Sequence, residues 1–442
     1  MRSLARIALI FAFTLTFGPI ARAGEKPISH AKAVAVVHAL ETVLLKNYVF
    51  PDKANAIVTF LNAKVERGGY DALASGDELA RVLTDDLIKI SGDLHFSVGQ
   101  DQAWVASFRR KELLGNSASD RKLAYDEGAR TNFGFEGVGR LTSNIGYLKL
   151  SYFSDPSIAY DTAAAAMRMV ENSDAVIIDL RYNNGGYLEM AQFIASYFFP
   201  SDKDKLLFDY YYYYDDGKRI DRGQWVLPGL PGKRMVDTPV YILTGSTSFS
   251  SAEWFTYTMK KLGRARIIGA RTAGGAHPVD RKPIDDYFYL QVPIGQIRDP
   301  IDHGDFEGVG VQPDLDMPSI DALPFAHRLA LEDLAKRSDE KKNDLNWALP
   351  SLTAGIARPA VAAGTLQAAV GSYEGRTIGL DHGRLYIIWR ERFRASLTPV
   401  APDLFDVEGV SDFRYRLVMK AGKIIGLERV NRDRTTHMYK RL

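Results

Sequence analysis

Between residues 146 and 269 the chain alternates short apolar runs with amphipathic stretches. Strands are expected over 146–152, 175–180, 239–244 and 265–269, and helices over 157–171, 187–198 and 251–262. Repeated strand–helix–strand units imply crossovers, and crossovers imply a largely parallel sheet covered by helices on its faces. In such a sheet the strands end along one edge, and the loops there form the crevice where open α/β sheets hold ligands. The fold class is therefore α/β, and chemistry is expected at the carboxyl ends of its strands.

Three strand ends carry suggestive residues. The run Val240-Tyr-Ile-Leu-Thr-Gly-Ser-Thr-Ser-Phe-Ser-Ser-Ala-Glu-Trp254 breaks from an apolar strand into small polar residues and then begins a helix. Ser250 would stand on the first turn of that helix, where nearby backbone N–H groups can stabilise an oxyanion. It is the candidate nucleophile. The same residues also read as a capping box, with Ser250 and Glu253 satisfying orphan amides and doing no chemistry. The second strand runs into Arg181-Tyr-Asn-Asn-Gly-Gly186. Glycines there let backbone amides approach a substrate closely, making Gly185 and Gly186 oxyanion-hole candidates against the plainer reading of a tight turn. The third, Gly269-Ala-Arg-Thr-Ala-Gly-Gly-Ala-His-Pro278, adds Gly274, Gly275 and His277 as substrate-binding candidates.

Residues 1–23 differ from the rest. Arg2 and Arg6 precede an apolar run over 7–17, and Ala21-Arg-Ala23 forms a small-residue cleavage pattern. This reads as a secretory signal whose apolar run is too short to span a membrane. Export across the inner membrane follows, to the periplasm or the exterior. Loss of Arg2, Arg6 and Arg22, with no acid among them, takes the formal charge from +2 to −1. Nucleic-acid binding then has no electrostatic basis. The absence of cysteine excludes disulfides, thiolate metal sites, a cysteine nucleophile and a lipidated membrane anchor.

Residues 24–95 carry helical periodicity from Ile28 to Ile90, with Val36, Leu40, Leu44 and Leu45 on one face and a break at Tyr48-Val-Phe-Pro51. They are read as a helical N-terminal cap on a core over 96–318. Residues 206–217, including the tyrosine run Tyr210–Tyr214, read as a hairpin arm whose alternate side chains face opposite sides. A helix and an Ala-rich linker are expected over 319–370. Short strands with turns at Asp381-His-Gly383 and Lys420-Ala-Gly422 then mark a separate antiparallel β domain over 371–442.

A serine hydroxyl near neutral pH needs a proton acceptor. Of eight histidines, His30 and His38 fall in the helices of the cap, His327 in a later helix and His382 and His437 in the terminal β domain, which leaves His95, His277 and His303. His95 stands in Ser91-Gly-Asp-Leu-His-Phe-Ser-Val98, where helix gives way to strand.

Six motifs occur in one order: Tyr48-Val-Phe-Pro51 with Gly92-Asp-Leu-His95, Asp179 through Gly186, Thr247-Ser-Phe-Ser-Ser-Ala-Glu253, Gly274-Gly-Ala-His-Pro278, and Glu307-Gly-Val-Gly-Val-Gln-Pro-Asp314. In this the chain resembles the C-terminal-processing (tail-specific) serine proteases over roughly residues 30–320, and looks most like the branch with interphotoreceptor retinoid-binding protein modules and a tricorn-like core. The resemblance implies a ClpP/crotonase-like core and hydrolysis of peptide or protein substrates. It matches Ser250 to the nucleophile, Ser251 with Gly185 and Gly186 to the oxyanion amides, His95 to the base, and Glu307 to the acid completing the charge network.

Two departures matter. Where family members with a Ser/Lys dyad carry the lysine, this chain has Gly275, and Lys260 and Lys261 lie about 15 Å of helical rise from the serine. A Ser/His/Glu site is the arrangement the sequence supports. The stretch between His95 and the strand near Gly146 is also too short for the PDZ domain many members carry. No metal or organic cofactor is expected, since the remaining His, Asp and Glu show no ligand spacing. The oligomeric state is not encoded legibly. The rival reading is a non-catalytic binding protein that holds a lipophilic ligand or peptide on the same scaffold.

Overall fold

A computed structural model describes residues 27–71, 73–201, 205–213, 219–299, 301–356 and 359–442. The expected leader over 1–23, Tyr214 and the turn after it lie outside the described residues. The chain forms two compact units, one of residues 1–115, 213–219 and 279–295, the other of 116–212, 220–278 and 296–442.

In the first unit, three helices, His30–Asn47, Pro51–Glu66 and Gly76–Ser91, carry the expected apolar spacing. Their starts are set by local chemistry. Ser29 Oγ accepts the Lys32 amide, Pro51 stands in the first turn where its missing N–H costs nothing, and Ser75 Oγ accepts the Glu78 amide. Gly92 ends the third helix at φ 75°, a left-handed turn that favours glycine. Val36, Leu40, Leu44, Ile57, Leu61, Leu79, Leu83 and Leu87 are buried as the spacing demands. Leu45 is not: it is 50% exposed, because one residue past Leu44 the helix has turned about 100° away from the core. A three-stranded antiparallel sheet of Ser97–Gln100, Phe288–Pro293 and Val279–Pro283 joins these helices. Lys32 Nζ reaches Asp285 at 2.7 Å, and the Val49 amide donates to Pro293 O at 3.0 Å.

The second unit is built on a six-stranded sheet. From one edge its strands are Leu315–Asp316, Arg266–Gly269, Val240–Thr244, Ala175–Asp179, Ile145–Leu150 and Phe135–Leu141. The first five are parallel to their neighbours, and the last is antiparallel. Both central strands are buried along their whole length, as a sheet covered on two faces requires. Alternate residues divide between the faces. Ile178, Ile242 and Ile267 pack with Ala163, Met167, Trp254 and Phe255, whereas Ile177, Tyr241, Leu243 and Ile268 pack with Ala322, Ala326, Ala330 and Leu331. The latter residues belong to helix Ser319–Ala335, and a second helix, Asp339–Ile356, follows it.

The tyrosine run forms part of strand Leu206–Tyr213, between Gly295–Arg298 and Arg219–Trp225. There Tyr211 is buried and its hydroxyl donates to Gln296 Oε1 at 2.8 Å, while Phe208 packs on Trp254 with ring centroids 4.4 Å apart.

Residues 371–442 form an eight-stranded antiparallel meander in sequence order. Tyr373 bridges Arg441, and the Leu442 amide donates to Ser372 O at 2.9 Å, so the first strand meets the end of the chain and the sheet closes on itself. Closure removes exposed edges, and Ile378, Ile387, Leu397, Phe405, Leu417 and Leu427 fill the interior. No helix among the described residues is long and apolar enough to cross a membrane.

Candidate active site

Parallel pairing brings the loops after Asp179, Thr244 and Gly269 to one edge of the sheet. The first strand end is anchored by Arg181, whose Nε and Nη2 donate to Asp179 Oδ1 and Oδ2 at 2.8 and 2.7 Å, and by the Tyr147 hydroxyl, which donates to Asp179 Oδ2 at 2.8 Å. Burial beside this carboxylate raises the Tyr147 pKa, so the hydroxyl stays a donor. The loops are stitched together by backbone and side chain. Ser248 Oγ donates to Leu180 O at 2.6 Å, the Phe249 amide to Asn183 O at 3.0 Å, and the Ala273 amide to Ser248 O at 3.1 Å.

Ser250 stands immediately before helix Ser251–Lys261 with φ 56° and ψ −123°. A side chain with a Cβ rarely adopts this conformation, which costs of order 1–3 kcal/mol and persists only where surrounding bonds enforce it. The chain makes that turn directly against Gly185. A Cβ on Gly185 would lie 2.6 Å from Ser250 Cβ and 3.1 Å from Ser250 Oγ, and one on Gly186 would lie 2.1 Å from Phe153 O. Both glycines have positive φ, 98° and 127°. They are thus required by close approach and by backbone geometry at once. Ser250 is partly exposed and Gly186 exposed, so the turn is open to a ligand.

The oxyanion-hole expectation needs one correction. The Gly185 amide already donates to Asn183 Oδ1 at 2.9 Å, so it holds the turn and is not presented to a ligand. Ser251 Oγ donates to Gly186 O at 2.7 Å, fixing the glycine turn to the start of the helix.

Glu253 was legible only as half of a capping box, and its part in the structure is larger. Its Oε2 accepts the Ser250 amide at 3.0 Å and the Gly275 amide at 2.8 Å; its Oε1 accepts the Gly274 amide at 2.6 Å and the Thr272 hydroxyl at 2.5 Å. The carboxylate is fully buried, and desolvation raises its pKa against the lowering effect of these bonds. Gly274 and Gly275 therefore turn their N–H groups inward, onto this carboxylate. No local spacing signals this, because the acceptor and the loop lie about twenty residues apart in the chain.

On its far side the same loop meets Glu307, in a turn. Glu307 Oε2 accepts the Ala276 amide at 2.6 Å and lies 3.5 Å from Nδ1 of the buried His277. The Gly308 amide donates to Gly274 O at 2.9 Å. Ser250, Ser251, Gly185, Gly186, Gly274, Gly275, His277 and Glu307 are all held within the second unit. Lys260 and Lys261 are engaged elsewhere, with Asp314 and Asp302.

His95 belongs to the first unit, between helix Gly76–Ser91 and strand Ser97–Gln100. It is 3% exposed. Its amide donates to Asp93 Oδ1 at 3.0 Å, its carbonyl accepts Gln291 Nε2 at 2.9 Å, and its Nδ1 lies 3.8 Å from Asp93 Oδ1. Backbone bonds on both sides thus fix the residue in its loop.

Residues 144–317 match the model of peptidase family S41, and residues 26–112 match that of the N-terminal domain of Peptidase_S41 in eukaryotic IRBP. Residues 144–317 thus form a peptidase family S41 domain, preceded by the N-terminal domain that accompanies it. Among curated relatives, the chain is 25% identical over 173 residues to a carboxyl-terminal-processing protease of Synechocystis sp., covering 39% of this chain and 37% of that one. It is 29% identical over 181 residues to carboxyl-terminal-processing peptidase 3, chloroplastic, of Arabidopsis thaliana, covering 40% and 32%. The match thus spans under two-fifths of the length of these relatives. Solved structures similar to the chain include a lipoprotein from Streptococcus agalactiae, at 17% identity and TM-score 0.46 over 70% of this chain and 98% of that one. The photosystem II D1 C-terminal processing protease aligns at 12% identity and TM-score 0.40, over 65% and 93%.

Proposed function

We propose that this S41 chain is an exported serine peptidase that cleaves peptide bonds in peptide or protein substrates by acyl transfer through Ser250. The observation that carries the reading is the left-handed backbone of Ser250 at the helix start, pressed against Gly185 at the carboxyl edge of the parallel sheet. A strained residue at such a place is held there by its surroundings for a purpose other than stability. His95, oriented and supported by Glu307, takes the proton from Ser250 as its oxygen attacks the carbonyl carbon. The amides of Ser251 and Gly186 hold the developing oxyanion. His95 then returns the proton to the leaving amine, and water hydrolyses the acyl-enzyme by the same route. Export rests on the leader pattern over residues 1–23.

A second assignment of the base has one observation in its favour. His277 Nδ1 lies 3.5 Å from Glu307 Oε2, in the pairing expected of a carboxylate that orients an imidazole. The sequence motifs favour His95, and the two histidines are separated by substitution.

The test is labelling with a fluorophosphonate, alongside hydrolysis of a peptide library. Labelling abolished by Ser250→Ala and cut at least a hundredfold by His95→Ala supports the peptidase. A chain that takes up no label while binding a lipophile tightly is the non-catalytic binding protein instead.

A further inference from the structure

Glu253 is a buried ionisable group at the candidate site that the acyl-transfer scheme leaves unused. Four donors converge on its carboxylate: the Ser250, Gly274 and Gly275 amides and the Thr272 hydroxyl, at 2.5–3.0 Å. Thr272 Oγ1 itself accepts the Val311 amide at 2.7 Å, which directs its proton toward Glu253. Two donors on each oxygen saturate an ionised carboxylate. A neutral carboxyl or an amide would turn at least one hydrogen toward a donor, leaving buried groups unsatisfied.

Helix capping by itself does not need this arrangement. In helix Ala118–Arg130 the N3 residue is Asp120, and it completes a capping box with Ser117 by itself. At helix Ser251–Lys261 the cap contact of Glu253 is its bond to the Ser250 amide, and its other three bonds run to the loop over 272–275. The longer side chain spans from the cap to the loop.

We infer that Glu253 is a positioning residue that, as a buried carboxylate, latches the 272–275 loop to the backbone of Ser250 and so sets the geometry in which the serine reacts. The inference rests on the serine-nucleophile reading for its catalytic consequence, but the latch itself is a structural statement that can fail independently. The Glu253 carboxylate meets the serine at its backbone amide and makes no claim on substrate or proton. Its charge is the property that matters, because one anion satisfies donors from two remote segments at a single point. The helix N-terminus offsets part of the cost of burying it.

The test compares Glu253→Asp, which keeps the charge and the ability to cap but shortens the reach, with Glu253→Gln, which keeps the length and loses the charge. For each, fluorophosphonate labelling is resolved into the inactivation rate kinact and the binding constant KI, and amide hydrogen exchange is followed by residue. The latch predicts that both variants retain the wild-type fold by near-UV circular dichroism, lose at least tenfold in kinact and keep KI within about threefold. It also predicts that the Gly274 and Gly275 amides exchange at least tenfold faster in the variants while Val240–Thr244 is unchanged. A Glu253→Asp or Glu253→Gln chain that labels at the wild-type kinact overturns the positioning role. In the unmodified chain, Gly274 and Gly275 amides that exchange as fast as exposed loop amides overturn the latch with no variant needed. If the unmodified chain shows no Ser250-dependent labelling, the nucleophile reading fails by itself, and the exchange data still decide the latch.

Discussion

The carboxylate of Glu253 accepts the Gly275 amide at 2.8 Å, across twenty-two residues of chain. The same oxygen accepts the Ser250 amide. One buried charge therefore joins the turn that presents the serine to the glycine loop beside it, and the elements meeting there behave as a unit whose parts can be perturbed one at a time.

Relieving the backbone at Ser250 should stabilise the protein while removing the hydroxyl. Glycine adopts positive φ freely, whereas alanine retains the Cβ conflict. Ser250→Gly is expected to be more stable than Ser250→Ala by about 1 kcal/mol, strain relief being partly offset by the entropy glycine adds to the unfolded chain. Chemical denaturation of the two variants checks this, and equal midpoints would show that the turn stores no strain.

Gly185 should tolerate no side chain. A Cβ there meets Ser250 Cβ at 2.6 Å with φ at 98°. Gly185→Ala is expected to cost about 2 kcal/mol or more through backbone strain and overpacking together, and to abolish labelling of Ser250. Denaturation midpoints and fluorophosphonate labelling read the two effects separately.

The two histidine assignments predict opposite outcomes. With His95 as base, His95→Ala loses about a hundredfold or more in turnover while His277→Ala stays within a few fold, a general base contributing roughly 10²–10⁴. The reverse pattern assigns the role to His277. Peptide turnover by the variants, with Glu307→Gln beside them, decides between them.

His327 should make stability sensitive to mild acid. Its Nε2 donates to Thr142 O at 2.9 Å in a buried site, and burial lowers its pKa from the ordinary 6.5. The unfolded chain then binds the proton more readily than the folded one. The contribution of neutral His327 is present above pH 6.5 and is lost as pH falls through the folded value. Replacement by glutamine, which can still donate to the carbonyl, should reduce the fall in denaturation midpoint between pH 8 and pH 5.5. An unchanged fall would assign the acid sensitivity to other groups.

The α/β class, the parallel sheet and the antiparallel C-terminal strands were written into the order of apolar runs, because burial on two faces demands continuous apolar strands and burial on one demands alternation. Ser250 was visible as a strand-to-helix junction, and Gly185 and Gly186 as a turn. What tertiary structure decided was the use of each backbone and carboxyl group. Gly185 spends its amide on Asn183, Gly274 and Gly275 spend theirs on Glu253, and Glu307 takes the Ala276 amide. Local spacing reports which face of an element is apolar, since that depends on neighbours three or four residues away. It carries no record of which donor meets which acceptor across twenty residues, because that pairing exists only once the sheet has brought separate loops to one edge.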